Sequence, residues 1–154
     1  MKLSSLEEYG LRCLLRLARG GATKSLTIEE ISQAEGVTPP NVAKIMRIMR
    51  RGGFVESLRG QKGGYILALT AQEIVVGDVL EVLGGRLYDR NFCEHFVGSE
   101  DSCLHESSNC SIRSLWNRVQ SAVDEVLRQT TLADLAYEPV TADSPGPIVI
   151  SDVT

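Results

Sequence analysis

Apolar residues recur at helical spacing in two runs at the start of the chain. The first run stops at the glycine pair 20–21 and contains Leu3, Leu6, Gly10, Leu11, Cys13, Leu14 and Leu17. The second is shorter: Thr27 and Glu30 have the spacing of a capping box, and Gly36 follows at about the point where the pattern ends near Glu35. The pattern therefore predicts two helices.

A third apolar run predicts the second helix of a helix-turn-helix motif. It follows the turn at Gly36, with Thr38 as the expected N-cap and Pro39 and Pro40 in the first helical turn, where proline is tolerated. The stripe that packs inward is Val42, Ile45, Met46 and Met49. Two helices joined by a tight, glycine-containing turn are typical of a DNA-reading motif.

A hairpin and a fourth helix follow. Residues 54–58 read as a strand, 59–64 as a turn and 65–69 as the returning strand, which together would form the wing of a winged helix. Residues 74–83 continue as a helix that ends at two glycines. The pattern thus predicts a mainly α fold with a small β-hairpin wing.

The remainder of the chain divides into a polar segment, a long amphipathic helix and a tail. From Arg86 to Cys110 the chain is polar and weakly periodic. A long apolar stripe then consists of Leu115, Trp116, Val119, Val123, Val126 and Leu127. The small head leaves this stripe little to cover, so we expect a dimerisation helix, followed by one further helical turn near 131–135.

These patterns predict four regions. Residues 1–84 form a winged helix-turn-helix DNA-binding domain, and 85–111 form a cysteine-rich loop that binds a metal or cluster. Residues 112–136 form the dimerisation helix with a short terminal helix. Residues 137–154, which contain Pro145 and Pro147, form a flexible tail.

The charge distribution favours a nucleic-acid partner. The 154-residue chain has a formal net charge of -4, which by itself disfavours DNA. Residues 41–65, however, hold six Lys and Arg residues and one Glu, or +5, which leaves -9 for the rest. A basic face on an acidic body is the electrostatic footprint of a local duplex-binding surface.

Six residues are candidates for contact with double-stranded DNA. Asn41 and Lys44, near the start of the third helix, are placed to reach base edges in the major groove. Arg47, Arg50 and Lys62 would mainly contact phosphates. Arg59, at the tip of the wing, could enter the minor groove, where arginine reads groove width.

The four cysteines indicate metal or redox chemistry rather than disulfides. The chain has no apolar run of about 18 residues, and acidic residues follow the N-terminus too soon for a signal peptide. We therefore expect a cytoplasmic protein with no membrane partner, where thiols stay reduced. Cys13 lies among the apolar residues of the first helix and is expected to be a core thiol.

Cys93, Cys103 and Cys110 fall in the polar segment, and the sequence is compatible with several roles for them. Thiolates are the usual ligands of iron-sulfur clusters and zinc, and they are also oxidisable. A Cys3His zinc site could include His95 or His105, although no Cys-x-x-Cys knuckle is present. A thiol or disulfide switch and incidental thiols are further alternatives. The chain lacks a nucleotide loop, a Ser-His-Asp set and a catalytic zinc motif, which argues against an enzyme.

At this level of detail the chain resembles the IscR/NsrR-type (Rrf2) family of winged-helix regulators over roughly residues 1–135. The resemblance rests on Met1-Lys2-Leu3-Ser4, Glu8-Tyr9-Gly10-Leu11-Arg12, the wing Arg59-Gly60-Gln61-Lys62-Gly63-Gly64-Tyr65, and the three loop cysteines. It implies a homodimeric transcription factor, in our reading a repressor, that binds palindromic operators. It also implies that the three loop cysteines and one further residue hold a [2Fe-2S] or [4Fe-4S] cluster.

The resemblance suggests two positions for the fourth ligand. Members similar to IscR use a histidine three residues after the last cysteine, where this chain has Arg113. Members similar to NsrR use an N-terminal acidic residue of the partner subunit, and Glu8 stands at the matching position. A carboxylate is a harder, weaker iron ligand than thiolate, so such a site would be labile, as suits a sensor. His95, His105 and a small molecule remain alternatives.

Overall fold

A computed structural model describes residues 4–21, 24–60, 63–85 and 110–137. Over these residues three helices are followed by two strands and then by three more helices. Their bounds are α1 Ser5–Gly20, α2 Ile28–Glu35, α3 Pro39–Arg51, β1 Val55–Leu58, β2 Gly64–Leu67, α4 Val76–Leu83, α5 Ser111–Gln129 and α6 Leu132–Tyr137. The mainly helical fold with a two-stranded hairpin confirms the predicted fold class.

The head is built around α1 and α3. Helix α1 begins with a capping box in which the Ser4 hydroxyl accepts from the Glu7 N–H and the Glu7 carboxylate accepts from the Ser4 N–H. Thr27 and Glu30 make the same reciprocal cap on α2, as the sequence predicts. The helices bury one continuous core, whose fully enclosed members include Leu14, Ile31, Val42, Ile45, Met46 and Met49.

The wing is a two-stranded antiparallel sheet that a third segment extends. Strands β1 and β2 pair in the register Val55 with Leu67 and Leu58 with Gly64. Leu26, between α1 and α2, adds an isolated bridge to Tyr65, with N–H to carbonyl distances of 3.0 and 2.8 Å. Gly64 permits this contact, because a Cβ there would lie 2.6 Å from the Leu26 carbonyl oxygen. The wing base is therefore tied to the helical head.

Some predicted details at the ends of the elements differ from the structure. Thr38 is the N-cap of α3, as predicted, but its side chain makes no cap hydrogen bond. An N-cap accepts from the second or third helical N–H, and Pro40 at the second position has none. The return strand stops at Leu67 rather than 69. The Ala68 N–H still donates to the Phe54 carbonyl, but the Phe54 N–H donates to the Met49 carbonyl, so the next strand pair is not completed.

The predicted start of α4 was also too early. The Leu132 N–H donates to the Ile74 carbonyl at 2.8 Å, and the Val76 N–H donates to the Thr130 carbonyl at 2.9 Å. Val75 and Thr131 thereby form an isolated antiparallel bridge, and the helix begins only at Val76. The sequence gives no sign of this pairing, because the two segments are more than fifty residues apart.

Helices α5 and α6 cover different parts of the head. The short α6 packs on α1: Leu132 is fully buried, and the Tyr137 hydroxyl donates to the Ala18 carbonyl at 3.0 Å. The long α5 packs on α4, where Gly77 allows close approach to Leu127. Helix α5 nevertheless leaves much of its apolar stripe exposed, which is the feature expected of a helix that pairs with another molecule.

Candidate DNA-binding surface and cysteine region

Helix α3 presents its polar side chains to solvent while its apolar stripe is buried. Val42, Ile45, Met46 and Met49 are each at most 1% exposed and fix the helix against the core. Asn41, Lys44, Arg47 and Arg50, the predicted DNA contacts, are all exposed. The helix is thus held on one side and free on the side that carries the basic residues.

The first turn of α3 is poor in backbone donors. Helix N-termini usually offer several free N–H groups to phosphates, but Pro39 and Pro40 have none, and the Val42 N–H already donates to the Thr38 carbonyl at 3.0 Å. Asn41 is left with the first turn's only uncommitted backbone donor. Contact with DNA at this end must therefore come mainly from side chains.

The wing lies against the same basic surface. The Arg50 guanidinium donates to the Ser57 hydroxyl at 3.4 Å, which links α3 to β1. Arg59 is exposed directly after β1, and Lys62 lies outside the described residues. Lys44, Arg47, Arg50, Arg51 and Arg59 against Glu56 give this described surface a charge of +4, five minus one.

Cys110 is the one loop cysteine among the described residues. It is the N-cap of α5, half-buried, and its Sγ accepts from the Arg113 N–H at 3.5 Å. The positive end of the helix dipole favours a negatively charged ligand atom at this place. A thiolate here fits the donor chemistry that iron requires.

The other candidate ligands of the loop lie outside the description. Cys93, Cys103, His95 and His105 all fall within residues 86–109. In the part of the chain that the structure describes, no three His, Cys, Asp or Glu side chains are close enough together to hold a metal ion. Of the metal ligands predicted in this loop, Cys110 is the one that lies among the described residues, at the point where the loop rejoins the fold.

Glu8 lies on the exposed surface of α1 and is held by a neighbour. Its Oε1 accepts from the Arg12 Nε at 2.8 Å, and the Arg12 Nη2 lies at the same distance. This hydrogen bond and the Glu8 charge raise the pKa of Arg12 above its ordinary value. Both side chains are about half exposed, so the carboxylate can leave this ion pair at small cost.

Glu7 differs sharply from its neighbour and was not singled out from the sequence. It is 7% exposed, it caps α1, and it lies against Gly84, whose missing Cβ makes room for the carboxylate. The Ser-x-x-Glu spacing at residues 4–7 is a capping box, and that signal could have identified it. Glu7 therefore has a structural role, and Glu8 remains the accessible acidic group.

Cys13 is a core thiol, as predicted. It is fully buried within the cluster of α1 and α3. Burial, with a smaller contribution from the Glu35 charge, raises the pKa of the thiol to about 12. Such a thiol stays protonated near neutral pH and is a poor metal ligand.

Comparison with known proteins places the whole described fold within one group. The family model of Rrf2, described as an iron-dependent transcriptional regulator, matches residues 3–138. The chain is 33% identical over 135 residues to protein rrf2 of Nitratidesulfovibrio vulgaris, which covers 88% of this chain and 87% of that protein. No helix among the described residues has the length and apolar character needed to cross a bilayer.

Two solved structures show the same architecture. The structure of CymR, named the global cysteine regulator of B. subtilis, has a TM-score of 0.71 at 30% identity and covers 88% of this chain and 96% of that one. The T. potens IscR structure has a TM-score of 0.70 at 29% identity, covering 88% and 85%. Two differently named proteins thus match almost equally well, so structural similarity does not distinguish between them.

Proposed function

Because the chain belongs to the Rrf2 family of transcriptional regulators, we propose that it is a homodimeric repressor whose affinity for a palindromic operator depends on an iron-sulfur cluster. As a member of this family it is a regulator and not an enzyme. Its site of action would be the cytoplasm, where the DNA is. The observation that supports cluster control is the position of Cys110 at the start of the exposed helix α5.

The DNA-reading part of the proposal rests on α3 and the wing. Asn41 and Lys44, at the start of α3, would contact base edges, while Arg47, Arg50 and Lys62 would contact phosphates. Arg59 would enter the minor groove. Because Pro39 and Pro40 remove backbone donors, these side chains would provide most of the contact at this end of the helix.

The cluster-holding part rests on the thiols and one carboxylate. Cys93, Cys103 and Cys110 with Glu8 of the partner subunit would hold a [2Fe-2S] or [4Fe-4S] centre. When bound, such a centre supplies a group that responds to oxidation, nitric oxide or iron supply. Arg113 occupies the position where a histidine ligand would stand, which favours Glu8 for the fourth place.

Glu8 and Cys110 would couple ligand binding to the geometry of the dimer. Glu8 lies on α1 of the head, and Cys110 lies at the N-terminus of α5. A ligand set that joins Glu8 of one protomer to Cys110 of the other fixes the head of the first against α5 of the second. Since two recognition helices must fit major grooves about 34 Å apart, a small change in this link alters operator affinity.

The experiment compares two substitutions with matched controls. Cys103→Ala should abolish bound iron, whereas Cys13→Ala, which removes a thiol from the core, should leave the iron content unchanged. Glu8→Ala should alter the visible spectrum of the anaerobic protein, whereas Glu29→Ala, an exposed glutamate on α2, should not. Genomic DNA fragments captured by wild type and Cys103→Ala should then differ in yield.

Three results would contradict parts of this proposal separately. Full iron content in Cys103→Ala would remove Cys103 from the ligand set and with it the assigned cluster site. An unchanged spectrum in Glu8→Ala would move the fourth ligand to a histidine or a small molecule. Equal DNA capture by both proteins would mean that the cysteines do not control operator binding.

A further inference from the structure

A cavity of about 560 Å³ lies where α1, α4 and α5 meet. Small-molecule sites in proteins usually have volumes of about 300–1,000 Å³, so this cavity is large enough for such a ligand. All three helices contribute to its apolar lining, which consists of Leu11, Val76, Leu80, Val123 and Leu127. None of the described residues proposed to contact DNA or to hold a cluster lines it.

The charged residues that line this cavity are mostly acidic. Glu7, Asp78, Glu81 and Asp124 stand against Arg128, which gives the described lining a charge of -3, one minus four. Arg128 Nη2 lies 3.4 Å from Asp124 Oδ2 and is therefore paired at the α5 side of the cavity. The lining as described thus favours a positively charged ligand.

Glu7 is a buried carboxylate with no basic partner among the described residues. It is 7% exposed, and its Oε2 accepts from the Ser4 N–H in the cap of α1. Its Oε1 lies against Gly84 and accepts no hydrogen bond from the described part of the chain. The N-terminus of α1 favours the ionised carboxylate, but burial of a charge without a counter-ion is costly. A cation in the cavity would offset this cost.

We propose that the cavity binds a small organic cation, namely a protonated amine on an aliphatic or aromatic body. An ammonium group has three N–H donors, and one would be donated to Glu7 Oε1 in a charge-assisted hydrogen bond. The body of the ligand would cover the apolar lining, while the acidic residues would repel carboxylates and phosphates. This inference goes beyond the proposed function, because it uses none of the residues assigned to DNA or to the cluster.

Three probes with the same apolar body test the chemical class of the ligand. Phenylbutylamine is a cation near neutral pH, phenylbutanol is neutral and phenylbutyrate is an anion. Isothermal titration calorimetry with the full-length protein should show the amine binding at least about tenfold more tightly than the alcohol. The carboxylate should not bind. Because the body is constant, the difference between the probes measures the effect of the charge.

Two substitutions test whether the amine binds in this cavity. Glu7→Gln keeps the size of the side chain and removes its charge, so the amine should bind about tenfold more weakly while the alcohol is unaffected. Val123→Phe adds volume to the lining and should weaken binding of the amine and the alcohol alike. Glu29→Gln, which changes an exposed glutamate on α2, is the matched control and should alter neither affinity.

Several results would overturn the proposed amine site. Equal binding of amine and alcohol to the wild type would remove the cation preference. Failure of all three probes to bind would mean that the cavity is filled by the rest of this chain or by a second copy. Wild-type affinity for the amine in Glu7→Gln would place the ligand elsewhere.

The cap that Glu7 makes on α1 requires a second variant. If circular dichroism shows that Glu7→Gln does not fold, the amine-to-alcohol ratio of the wild type and the loss of binding in folded Val123→Phe decide the question. Undiminished amine binding in Val123→Phe would then overturn the site. The iron content of Cys103→Ala bears only on the cluster, so the two proposals can fail separately.

Discussion

Helices α3 and α5 have the same kind of amphipathic sequence but opposite surroundings. The apolar stripe of α3 is buried, with Ile45 1% exposed, whereas on α5 Ile112 is 63% exposed. A periodic apolar pattern therefore predicts a helix with a face to cover, and it does not say whether the cover belongs to the same chain. The coverage of α3 makes a stable head, and the exposure of α5 leaves an apolar surface that the proposed homodimer would cover.

The largest expected difference in stability comes from replacing one isoleucine by alanine on each of the two helices, α3 and α5. Ile45→Ala should lower the free energy of unfolding by about 2–5 kcal/mol, because it leaves a cavity in the core. Ile112→Ala removes the same atoms from an exposed position and should change the monomer's stability by less than about 0.5 kcal/mol. Urea denaturation at low protein concentration measures both. Equal losses would mean that α5 is covered within the monomer.

Gly64 in the wing tests the packing of the head through backbone conformation rather than through side-chain burial. Gly64 has φ +150° and lies against the Leu26 carbonyl, so Gly64→Ala should cost about 1–3 kcal/mol of stability and weaken binding to duplex DNA. Gly60 also has positive φ, but a Cβ there meets nothing within 4 Å. Gly60→Ala should show the smaller loss. A smaller loss for Gly64→Ala would mean that the Leu26–Tyr65 bridge does not hold the wing.

Two arginines, one on each helix, test the comparison through the salt dependence of DNA binding. Arg47 is exposed on α3 and Arg128 is exposed on α5. If Arg47 contacts a phosphate, Arg47→Ala should reduce the slope of log K against log salt by about 1 per protomer. Arg128→Ala should leave that slope unchanged. Fluorescence anisotropy with a duplex of arbitrary sequence gives both slopes, and equal slopes would contradict a phosphate contact by Arg47.

The smallest effect is local and concerns two cysteines. Because burial raises the pKa of Cys13 to about 12, this thiol should resist iodoacetamide from pH 7 to 9, whereas Cys110 should react in the apo protein. An unfolded cysteine ionises near 8.5, so the stability that Cys13 contributes is complete below that pH and is lost as pH rises toward 12. Peptide mapping measures the labelling, and rapid modification of Cys13 at pH 7 would contradict its burial.

The sequence predicted the parts of the fold that depend on local chemistry. Helices α1 and α2 were located correctly, because capping boxes and glycines act within a few residues. Thr38 is the N-cap of α3, as predicted, but its side chain makes no cap hydrogen bond, since Pro40 removes one of the donors that such a bond needs. The bridges of Leu26 to Tyr65 and of Val75 to Thr131 were missed, because they join segments that are distant in sequence.

The candidate site was predictable to different degrees for DNA and for the cluster. The exposure of Asn41, Lys44, Arg47 and Arg50 follows from the helical period that buries Ile45 and its neighbours. The position of Cys110 at a helix N-cap depends on where α5 begins, which the loop sequence did not specify beyond its approximate start. The contrast of buried Glu7 with exposed Glu8 required the packing of α1 on the C-terminal end of α4.

The content of iron and acid-labile sulfide in anaerobically purified protein, with its visible absorption spectrum, tests the central proposal most directly. We predict stoichiometric iron and sulfide with a charge-transfer band, and their ratio to protein will distinguish [2Fe-2S] from [4Fe-4S]. A colourless protein that contains zinc, or no metal, would contradict cluster sensing and leave a structural site or a thiol switch.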